Sequence, residues 1–318
     1  MMPWLLSGLG LLILLFAGDA LVKGAVNLSL RLGVPALIVS LTIVAFGTSA
    51  PELLISISAI LDNAPGLALG NVVGSNTANI LLVLGVPALL ATMHTSECNT
   101  RKTYVFMVVA SVLFIALAFR GVFDWIAGIV LLTALGVMLM DAFNDAHKHR
   151  KACRNAPVDT EEEIEGADPD LPWWRICVFL ALGLIGLPLG ANLLVENATI
   201  IAKMYGISDT VIGLTLVAIG TSLPELATTV MAALRRQADV ALGNVIGSNM
   251  FNLLAIIGIA SFVGPMPVDP EFLRFDLWVM LGASVLLVPF VFWRRDLTRI
   301  WGIVLTSLYV IYLAVVLT

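Results

Sequence analysis

The sequence predicts an all-α integral membrane protein, with ten transmembrane helices arranged as two inverted repeats of five helices each. Three observations lead to this fold class. Hydrophobic residues make up 59% of the 318 residues, charged residues only 12%, and the mean hydropathy of +1.00 is far above that of soluble proteins. Apolar stretches of about 20 residues recur along the whole chain. One segment of 45 residues occurs twice.

Each apolar stretch is long enough to cross a bilayer, and a single segment satisfies its own backbone there by forming a helix. The first stretch lacks a basic region and a small-residue cleavage site, so we expect it to be retained rather than removed as a signal peptide. In order along the chain, the predicted spans are 4–28, 35–60, 67–91, 103–119, 122–143, 173–202, 209–234, 240–263, 273–293 and 299–317.

The basic residues predict the orientation of these spans. If the N-terminus is outside, the cytoplasmic connections carry thirteen Lys and Arg residues and the outer connections carry three. Because positively charged connections stay in the cytoplasm, both termini are predicted to be outside. The net charge of −5 does not alter this, since acidic residues have little influence on insertion.

The duplicated segment covers residues 41–85 and 214–258, which align without a gap at an offset of 173 and are identical at 23 of 45 positions. Apolar positions differ freely between the copies, as at Phe46 and Ile219, whereas polar side chains are kept. This pattern indicates a binding site built from two halves. The shared polar pairs are Thr48/Thr221, Ser49/Ser222, Glu52/Glu225, Asn71/Asn244, Ser75/Ser248, Asn76/Asn249 and Asn79/Asn252.

The two copies begin in the second and seventh spans, an odd number of spans apart, so they cross the membrane in opposite directions. Inverted repeats are typical of secondary transporters, whose substrate site lies near the midplane where the halves meet. We predict a first repeat at 1–143, a cytoplasmic linker at 144–172 and a second repeat at 173–318. A solvated connection is the favoured role of the linker; a regulatory cation site is the alternative, but the pattern of a calcium-binding loop is missing.

Two glutamates, Glu52 and Glu225, lie deep in apolar spans. An ionised side chain there is costly unless it is paired or hydrated, so it marks a functional site. A structural ion pair is the alternative, but Lys23 is the nearest basic candidate, and one Lys cannot neutralise two acids. Two acids without resident basic partners indicate a mobile cation as the ligand.

Hydroxyl groups accompany each glutamate at helical spacing. Thr48 and Ser49 precede Glu52 by four and three residues, which would place them on the same helix face. The second repeat has the same arrangement, with Thr221 and Ser222. Hydroxyl and carboxylate oxygens are the ligands that hard cations prefer.

A proline precedes each glutamate directly. Pro51 lacks an N–H, so the carbonyl of Gly47 loses its helical partner, and Pro224 does the same to Gly220. We therefore expect each helix to break there. Freed carbonyl groups at this depth are tolerated where they line a cavity, and there they can coordinate cations.

Each repeat adds amide and hydroxyl oxygens on a common helix face further along the chain. Paired glycines come just before them and predict close packing of helices. Hydrogen bonding between helices is the alternative role for the asparagines. The residues concerned are Ser75, Asn76 and Asn79 after Gly70 and Gly74, and Ser248, Asn249 and Asn252 after Gly243 and Gly247.

The combined oxygens suit calcium. Two carboxylates with about four to eight neutral oxygens match Ca²⁺, which takes about 6–8 oxygen ligands. Divided into smaller sites, the same oxygens could hold about two or three Na⁺ instead, and this mutual exclusion is a physical basis for exchange. Because the two acids repel each other without a cation, we also expect protons to compete for them.

These motifs resemble those of the sodium/calcium exchanger family, the cation/calcium antiporters. GTSAPE at 47–52 with GSN at 74–76, and GTSLPE at 220–225 with GSN at 247–249, carry the resemblance, which extends over all ten spans. It implies an antiporter that exchanges Na⁺ for Ca²⁺ by alternating access, with the first and sixth spans as sliding gate helices. It also implies a location in the cytoplasmic (inner) membrane of a bacterium or archaeon.

The resemblance implies a central cluster of ion sites that share two glutamates. Some relatives have an acid at the position of Asn249, so this chain has one titratable group fewer. The implied Ca²⁺ ligands are Glu52, Glu225, Thr48 and Thr221; the implied Na⁺ ligands are Ser49, Ser75, Ser222 and Ser248 with both glutamates; and the Ala45 and Ala218 carbonyls support them, as we also expect of Asn76 and Asn249.

Other functions remain as alternatives. A Ca²⁺/H⁺ exchanger or a K⁺-dependent Na⁺/Ca²⁺ exchanger could use the same scaffold. A cation channel is less favoured, because an antiparallel duplication suits alternating access. An enzyme is disfavoured, because no span carries a nucleophile–His pair. The expected partners are Ca²⁺, Na⁺ and the lipid bilayer, with no cofactor and no nucleic acid, and the sequence leaves the oligomeric state open.

Overall fold

The structure, a computed structural model, describes residues 2–96, 98–155, 168, 170–206 and 218–317, with side chains throughout except at 150–155, 218 and 317. The helices of the first half are α1 (Met2–Leu32), α2 (Ala36–Thr48), α3 (Ala50–Leu61), α4 (Pro65–Leu90), α5 (Arg101–Ala118) and α6 (Trp125–Asn155). Those of the second half are α7 (Trp173–Met204), α8 (Ala218–Thr221), α9 (Leu223–Leu234), α10 (Ala238–Val263), α11 (Pro270–Phe292) and α12 (Arg299–Leu317).

The predicted all-α membrane fold is confirmed. Eight of the described helices are long and apolar enough to cross a membrane, and α2 with α3, which are bent by 40°, make a ninth span. The predicted span 209–234 is described only at α8 and α9, because residues 207–217 lie outside the described ranges. The exact count of ten is therefore not tested by the described part of the chain.

The beginning of the predicted linker is helical. Helix α6 continues to Asn155, so residues 144–155, which include His147 and His149, belong to this helix. Lys, Arg and Ala in this stretch favour a helix that extends beyond the membrane. The acidic part of the predicted linker, at 156–167, lies outside the described residues.

The repeat extends beyond the duplicated segment. In the described part of the chain, six residues have a positive φ, and they form three pairs that are each 173 residues apart. Left-handed backbone marks the tight turns at helix ends, so equal spacing shows that the two halves turn at equivalent positions. The pairs are Gly33 (66°) with Gly206 (76°), Asn63 (58°) with Arg236 (56°), and Gly121 (82°) with Arg294 (50°).

Two short antiparallel pairings also follow the repeat. Strand β1 (Val122–Phe123) pairs with β2 (Met266–Pro267), with Phe123 opposite Met266. A second, isolated bridge joins Met93 to Leu297. Met93 and Met266 are equivalent in the repeat, so each half contributes one methionine to such a pairing.

The two ends of the bundle are distinguished by the connections that meet there. At one end, here called the terminal end, Gly66, Phe272 and Val316 line a common cavity, which brings together the starts of α4 and α11 and the end of α12. At the other, the linker end, Leu32 and His147 line a cavity between α1, α2 and α6.

The layers of the bundle place the polar residues at its centre. Helices α4 and α10 are the most buried spans. Helices α1 and α7 lie against each other at the outside and approach closely through glycine: a Cβ at Gly10 would lie 2.7 Å from the backbone nitrogen of Leu194. Small residues at such a crossing allow the two backbones to meet.

Candidate cation-binding site

The helix breaks predicted from the prolines are present in both halves. Ser49 separates α2 from α3 with φ −87° and ψ 5°, and Ser222 separates α8 from α9 with φ −87° and ψ 4°. Pro51 and Pro224 lie in the first turn of the helices that follow, where a missing N–H is tolerated. Both halves therefore begin a new helix at the same position in the motif.

Both glutamates lie in the first turn of these new helices, Glu52 in α3 and Glu225 in α9. Their exposed fractions are 1% and 0%, so both carboxyl groups are shielded from water. The positive end of each helix dipole lowers the cost of a carboxylate there. Lys23 does not offset the charge, because its ammonium pairs with Asp19 at 2.9 Å.

The carboxylate of Glu225 is bound by hydroxyl groups from both halves. Its Oε1 accepts hydrogen bonds from Ser49 Oγ at 3.1 Å and Ser248 Oγ at 3.5 Å. Thr48 Oγ1 lies 3.4 Å from Ser248 Oγ and donates to the carbonyl of Ala45 at 3.3 Å. A hydroxyl of the first copy, that of Ser49, therefore binds the acid of the second copy.

This pairing adds a contact between the copies to the expectation that Thr48 and Ser49 share a helix face with Glu52. The break at Ser49 keeps one helical hydrogen bond, from the Leu53 N–H to the Ser49 carbonyl at 3.3 Å. The Ser49 hydroxyl binds Glu225 of the other copy, and the described residues give the Glu52 carboxylate no hydrogen bond from either hydroxyl.

The surroundings of Glu52 are different. Both of its carboxylate oxygens are buried and have no hydrogen-bond partner among the described residues, and the same holds for the hydroxyls of Ser75 and Ser222. Ser75 and Ser222 are 3% and 1% exposed and are the repeat equivalents of the two serines that bind Glu225. Unpaired buried oxygens are costly, and a bound cation would satisfy them.

Four asparagines form a reciprocal network between α4 and α10. Asn76 Nδ2 donates to the backbone oxygen of Asn249 at 3.1 Å, and Asn249 Nδ2 donates to the backbone oxygen of Asn76 at 3.3 Å. Asn79 Nδ2 donates to Asn249 Oδ1, and Asn252 Nδ2 to Asn76 Oδ1, both at 3.0 Å. Each accepting amide oxygen has a second lone pair, which leaves it able to bind a cation.

The glycine pair of the second half packs closely against α2. On α10, a Cβ at Gly243 would lie 2.8 Å from the carbonyl oxygen of Leu37, and one at Gly247 would lie 2.5 Å from that of Leu41, so α2 and α10 pack backbone to backbone as predicted. Gly74 on α4 has no described atom within 4 Å of the corresponding position. Its equivalent neighbours would lie in residues 207–217, outside the described ranges.

The sequence analysis did not place Asn244 in the site. Asn244 Nδ2 donates to the carbonyl of Glu225 at 3.3 Å and to Thr229 Oγ1 at 3.2 Å, while its Oδ1 accepts from Thr48 at 3.3 Å. The sequence did contain a signal for Asn244, because the equivalent residue in the first copy, Asn71, is also an asparagine. Asn244 therefore positions both the glutamate and the threonine of the site.

The remaining predicted residues lie at the same centre. Ala45 is fully buried beside the break in α2, and Ala218 is the first residue of α8. Thr221 lines a cavity of about 390 Å³ that runs from Gly66 at the terminal end to Ser75 and Thr221 near the break. No cluster of three or more His, Cys, Asp or Glu that could hold a metal ion occurs in the described ranges.

Comparisons with known proteins agree with this arrangement. The model of the family described as sodium/calcium exchanger protein matches residues 2–143 and 176–318. The sodium/calcium exchanger MaX1 of Methanosarcina acetivorans is 34% identical over 341 residues, which cover 96% of each chain. The inner membrane protein YrbG of Escherichia coli is 33% identical over 307 residues, which cover 96% of this chain and 94% of YrbG.

Solved structures give the same result. A structure of the sodium–calcium exchanger NCX_Mj, soaked with Na⁺ and Sr²⁺, is similar to this chain with a TM-score of 0.82 and 32% identity. The match covers 99% of this chain and 98% of that chain. Together with the family match over both repeats, these similarities show that the chain belongs to the sodium/calcium exchanger family.

Proposed function

We propose that this protein exchanges Na⁺ for Ca²⁺ across a membrane by alternating access. The observation that carries the proposal is the pair Glu52 and Glu225, which are buried, lack a described basic partner and are surrounded by neutral oxygens from both halves. Two carboxylates balance the charge of one Ca²⁺ or of two Na⁺. Because both ions need the same charges, binding of one excludes the other.

We assign the ligands by this charge balance. One Ca²⁺ would be shared by both glutamates with the two threonine hydroxyls, and Na⁺ would use the serine hydroxyls with the same glutamates. The carbonyls beside the two helix breaks and the paired asparagines complete the oxygen supply. In full, the proposed ligands are Glu52, Glu225, Thr48 and Thr221 for Ca²⁺; Ser49, Ser75, Ser222 and Ser248 with both glutamates for Na⁺; and Ala45, Ala218, Asn76 and Asn249 in support.

The orientation in the membrane belongs to the same proposal. Residues 1–143 and 173–318 form the two inverted repeats around a cytoplasmic linker at 144–172, and both termini are outside. The terminal end of the bundle is then external, and its cavity is the external path to the site. The relative YrbG is called an inner membrane protein, which supports a location in the cytoplasmic membrane.

Alternating access requires a part of the bundle that moves. Helices α1 and α7 pack against each other at the outside of the bundle, where glycines such as Gly10 and Gly190 bring their backbones into contact. Close backbone contact through small residues couples the two helices, so they can move together as one unit. We propose that this pair slides across the centre and opens the site to one side at a time.

The test is uptake of ⁴⁵Ca²⁺ into proteoliposomes loaded with Na⁺. We expect uptake when internal Na⁺ exceeds external Na⁺, and none when choline replaces the internal Na⁺. Imposed pH gradients and added K⁺ separate the related transporters: uptake driven by a pH gradient alone would identify a Ca²⁺/H⁺ exchanger, and a strict need for K⁺ would identify a K⁺-dependent one. Flux that does not saturate with Ca²⁺ would indicate a channel.

A further inference from the structure

One acid of the terminal-end cavity has no part in the site described above. Asp276 on α11 lines this cavity and lies in the first turn after the segment Pro270–Arg274. The structure gives its carboxylate one side-chain hydrogen bond, from the Tyr312 hydroxyl at 3.5 Å, and no ion pair with a described basic residue. Asp276 is also the only acid among the described residues that line the cavity.

The position of Asp276 along α11 connects it to the site. Met280 lies one helical turn deeper on the same face, and its sulfur is 3.8 Å from Asn76 Nδ2. Ser75, the neighbour of Asn76, lines the same cavity, is 3% exposed and has a hydroxyl without a described partner. The acid therefore lies about one turn, or ~6 Å, above the level of the asparagines, on the path from the terminal end.

Among the described residues, the linker end has no acid at the equivalent position. The repeat equivalent of Asp276 is Thr103, and its hydroxyl donates to the carbonyl of Thr100 at 2.9 Å. Two acids, Asp141 and Asp145, line the same small cavity as Thr103, but both bind the ammonium of Lys102, at 2.6 and 2.7 Å. The linker-end cavity lined by Leu32 and His147 has a volume of about 390 Å³, like the terminal-end cavity, but its described lining residues include no acid.

We propose that Asp276 is a cation-entry residue, which attracts Ca²⁺ and Na⁺ into the terminal-end cavity and transfers them to the site at Glu52 and Ser75. The inference rests on the site proposed above. A single carboxylate with one weak hydrogen bond can bind a hydrated cation transiently without competing with two glutamates for it. A cavity with largely apolar walls focuses the field of such a charge and raises the local cation concentration.

The expected effect follows from charge. In Asp276→Asn, the half-saturating Ca²⁺ concentration applied from the terminal end should rise about 3- to 10-fold, because one charge some 5–10 Å from the path is removed. The increase for Na⁺ should be about the square root of that for Ca²⁺, because the interaction scales with the charge of the ion. The maximal rate should stay within about twofold, since the site itself is intact.

The test measures exchange in right-side-out and everted membrane vesicles, which present opposite ends of the bundle to the added ion. For Asp276→Asn, we expect the half-saturating Ca²⁺ concentration to rise in one vesicle type and to stay unchanged in the other. Asp276→Glu, which keeps the charge, should have the wild-type value in both. Glu271→Gln is the matched control, because Glu271 is an exposed acid at the start of α11 that does not line the cavity. Choline chloride should reduce the difference, because salt screens an exposed charge.

Several outcomes would overturn the inference. An unchanged half-saturating concentration, an equal rise from both ends, or an equal fold-change for Ca²⁺ and Na⁺ would each exclude entry through Asp276. If Asp276→Asn does not fold, Tyr312→Phe is the second test, because it removes the hydrogen bond to Asp276 and keeps the charge. The inference predicts that its half-saturating Ca²⁺ concentration is unchanged or lower. A higher half-saturating concentration would contradict the inference. Glu52→Gln distinguishes failure of the proposed site from failure of the entry role of Asp276. If the site itself is wrong, Glu52→Gln retains exchange.

Discussion

Glu52 and Glu225 occupy the same position in two copies of one motif, yet their surroundings differ. Glu225 accepts hydrogen bonds from Ser49 and Ser248, in a region where α2 and α10 pack backbone to backbone. Glu52 has no described hydrogen-bond donor, and the equivalent serines on its side have unpaired hydroxyls. We call the half around Glu225 closed, because its Oε1 accepts hydrogen bonds while its Oε2 has no described partner, and the half around Glu52 open, because neither of its oxygens has one.

This difference is informative about mechanism. A duplicated site whose halves can each adopt both arrangements has the property that alternating access requires, because closing one half while opening the other exchanges the side of access. The open half faces the cavity that reaches Ser75 and Thr221 from the terminal end. The residue types of the two halves are the same, and their hydrogen bonds among the described residues differ.

The largest expected effect tests whether the two glutamates are equivalent in function. Glu52→Gln and Glu225→Gln should each reduce Na⁺-driven Ca²⁺ flux at least about 100-fold, because each removes half of the charge that balances Ca²⁺ in a buried site. Flux into Na⁺-loaded liposomes is the measurement, with Glu271→Gln as a control of unchanged rate. Near-normal flux in either glutamate variant would show that the halves do not share one cation.

A second prediction concerns pH. Lowering the pH from about 8 to about 6 should weaken equilibrium Ca²⁺ binding in detergent, because a proton on either glutamate removes a ligand charge. The dependence should persist in Asn249→Ala if that variant binds Ca²⁺, because Asn249 carries no titratable proton. A flat profile over this range would contradict direct repulsion between the two acids.

A third prediction concerns the packing of α2 against α10. Gly247→Ala places a Cβ 2.5 Å from the carbonyl oxygen of Leu41, so it should lower the free energy of unfolding by about 1–3 kcal/mol. Gly136→Ala, on α6, is the control, because a Cβ there meets no described atom within 4 Å and should cost less than about 1 kcal/mol. Thermal unfolding in detergent measures both; equal losses would contradict the close packing of α2 on α10.

The smallest effect concerns the serines. Ser49→Ala removes a hydrogen bond to a buried carboxylate and should destabilise the ion-free protein by about 1–2 kcal/mol. Ser222→Ala removes a hydroxyl that has no described partner and should change the stability by less than about 0.5 kcal/mol. Unfolding in chelator and without Na⁺ is the measurement, and a larger loss for Ser222→Ala would reverse the assignment of the closed half.

Much of the fold and of the candidate site could be predicted from the sequence, because the polar residues of this protein lie in short local motifs. The apolar spans follow from composition, and the breaks at Ser49 and Ser222 follow from a proline that has no N–H to donate. Identity across the repeat singled out the polar residues of both halves. The family resemblance based on the motifs is confirmed by the matches over nearly the whole chain.

Contacts between residues that are far apart in the chain could not be predicted from the sequence. The partner of the Ser49 hydroxyl is Glu225 of the other copy, and helical spacing within one segment cannot report a contact between the two copies. The asparagine network likewise depends on how closely α4 and α10 approach. The sequence also cannot indicate which half is closed, because the two motifs are nearly identical.

The most direct test of the shared site is the number of Ca²⁺ ions bound per chain at equilibrium. If Glu52 and Glu225 hold one ion together, the wild-type protein binds one Ca²⁺ there, Na⁺ displaces it, and Glu52→Gln and Glu225→Gln each bind none at the same concentration. Two Ca²⁺ per wild-type chain, with one retained in each single variant, would show that each half binds its own cation and would contradict the account.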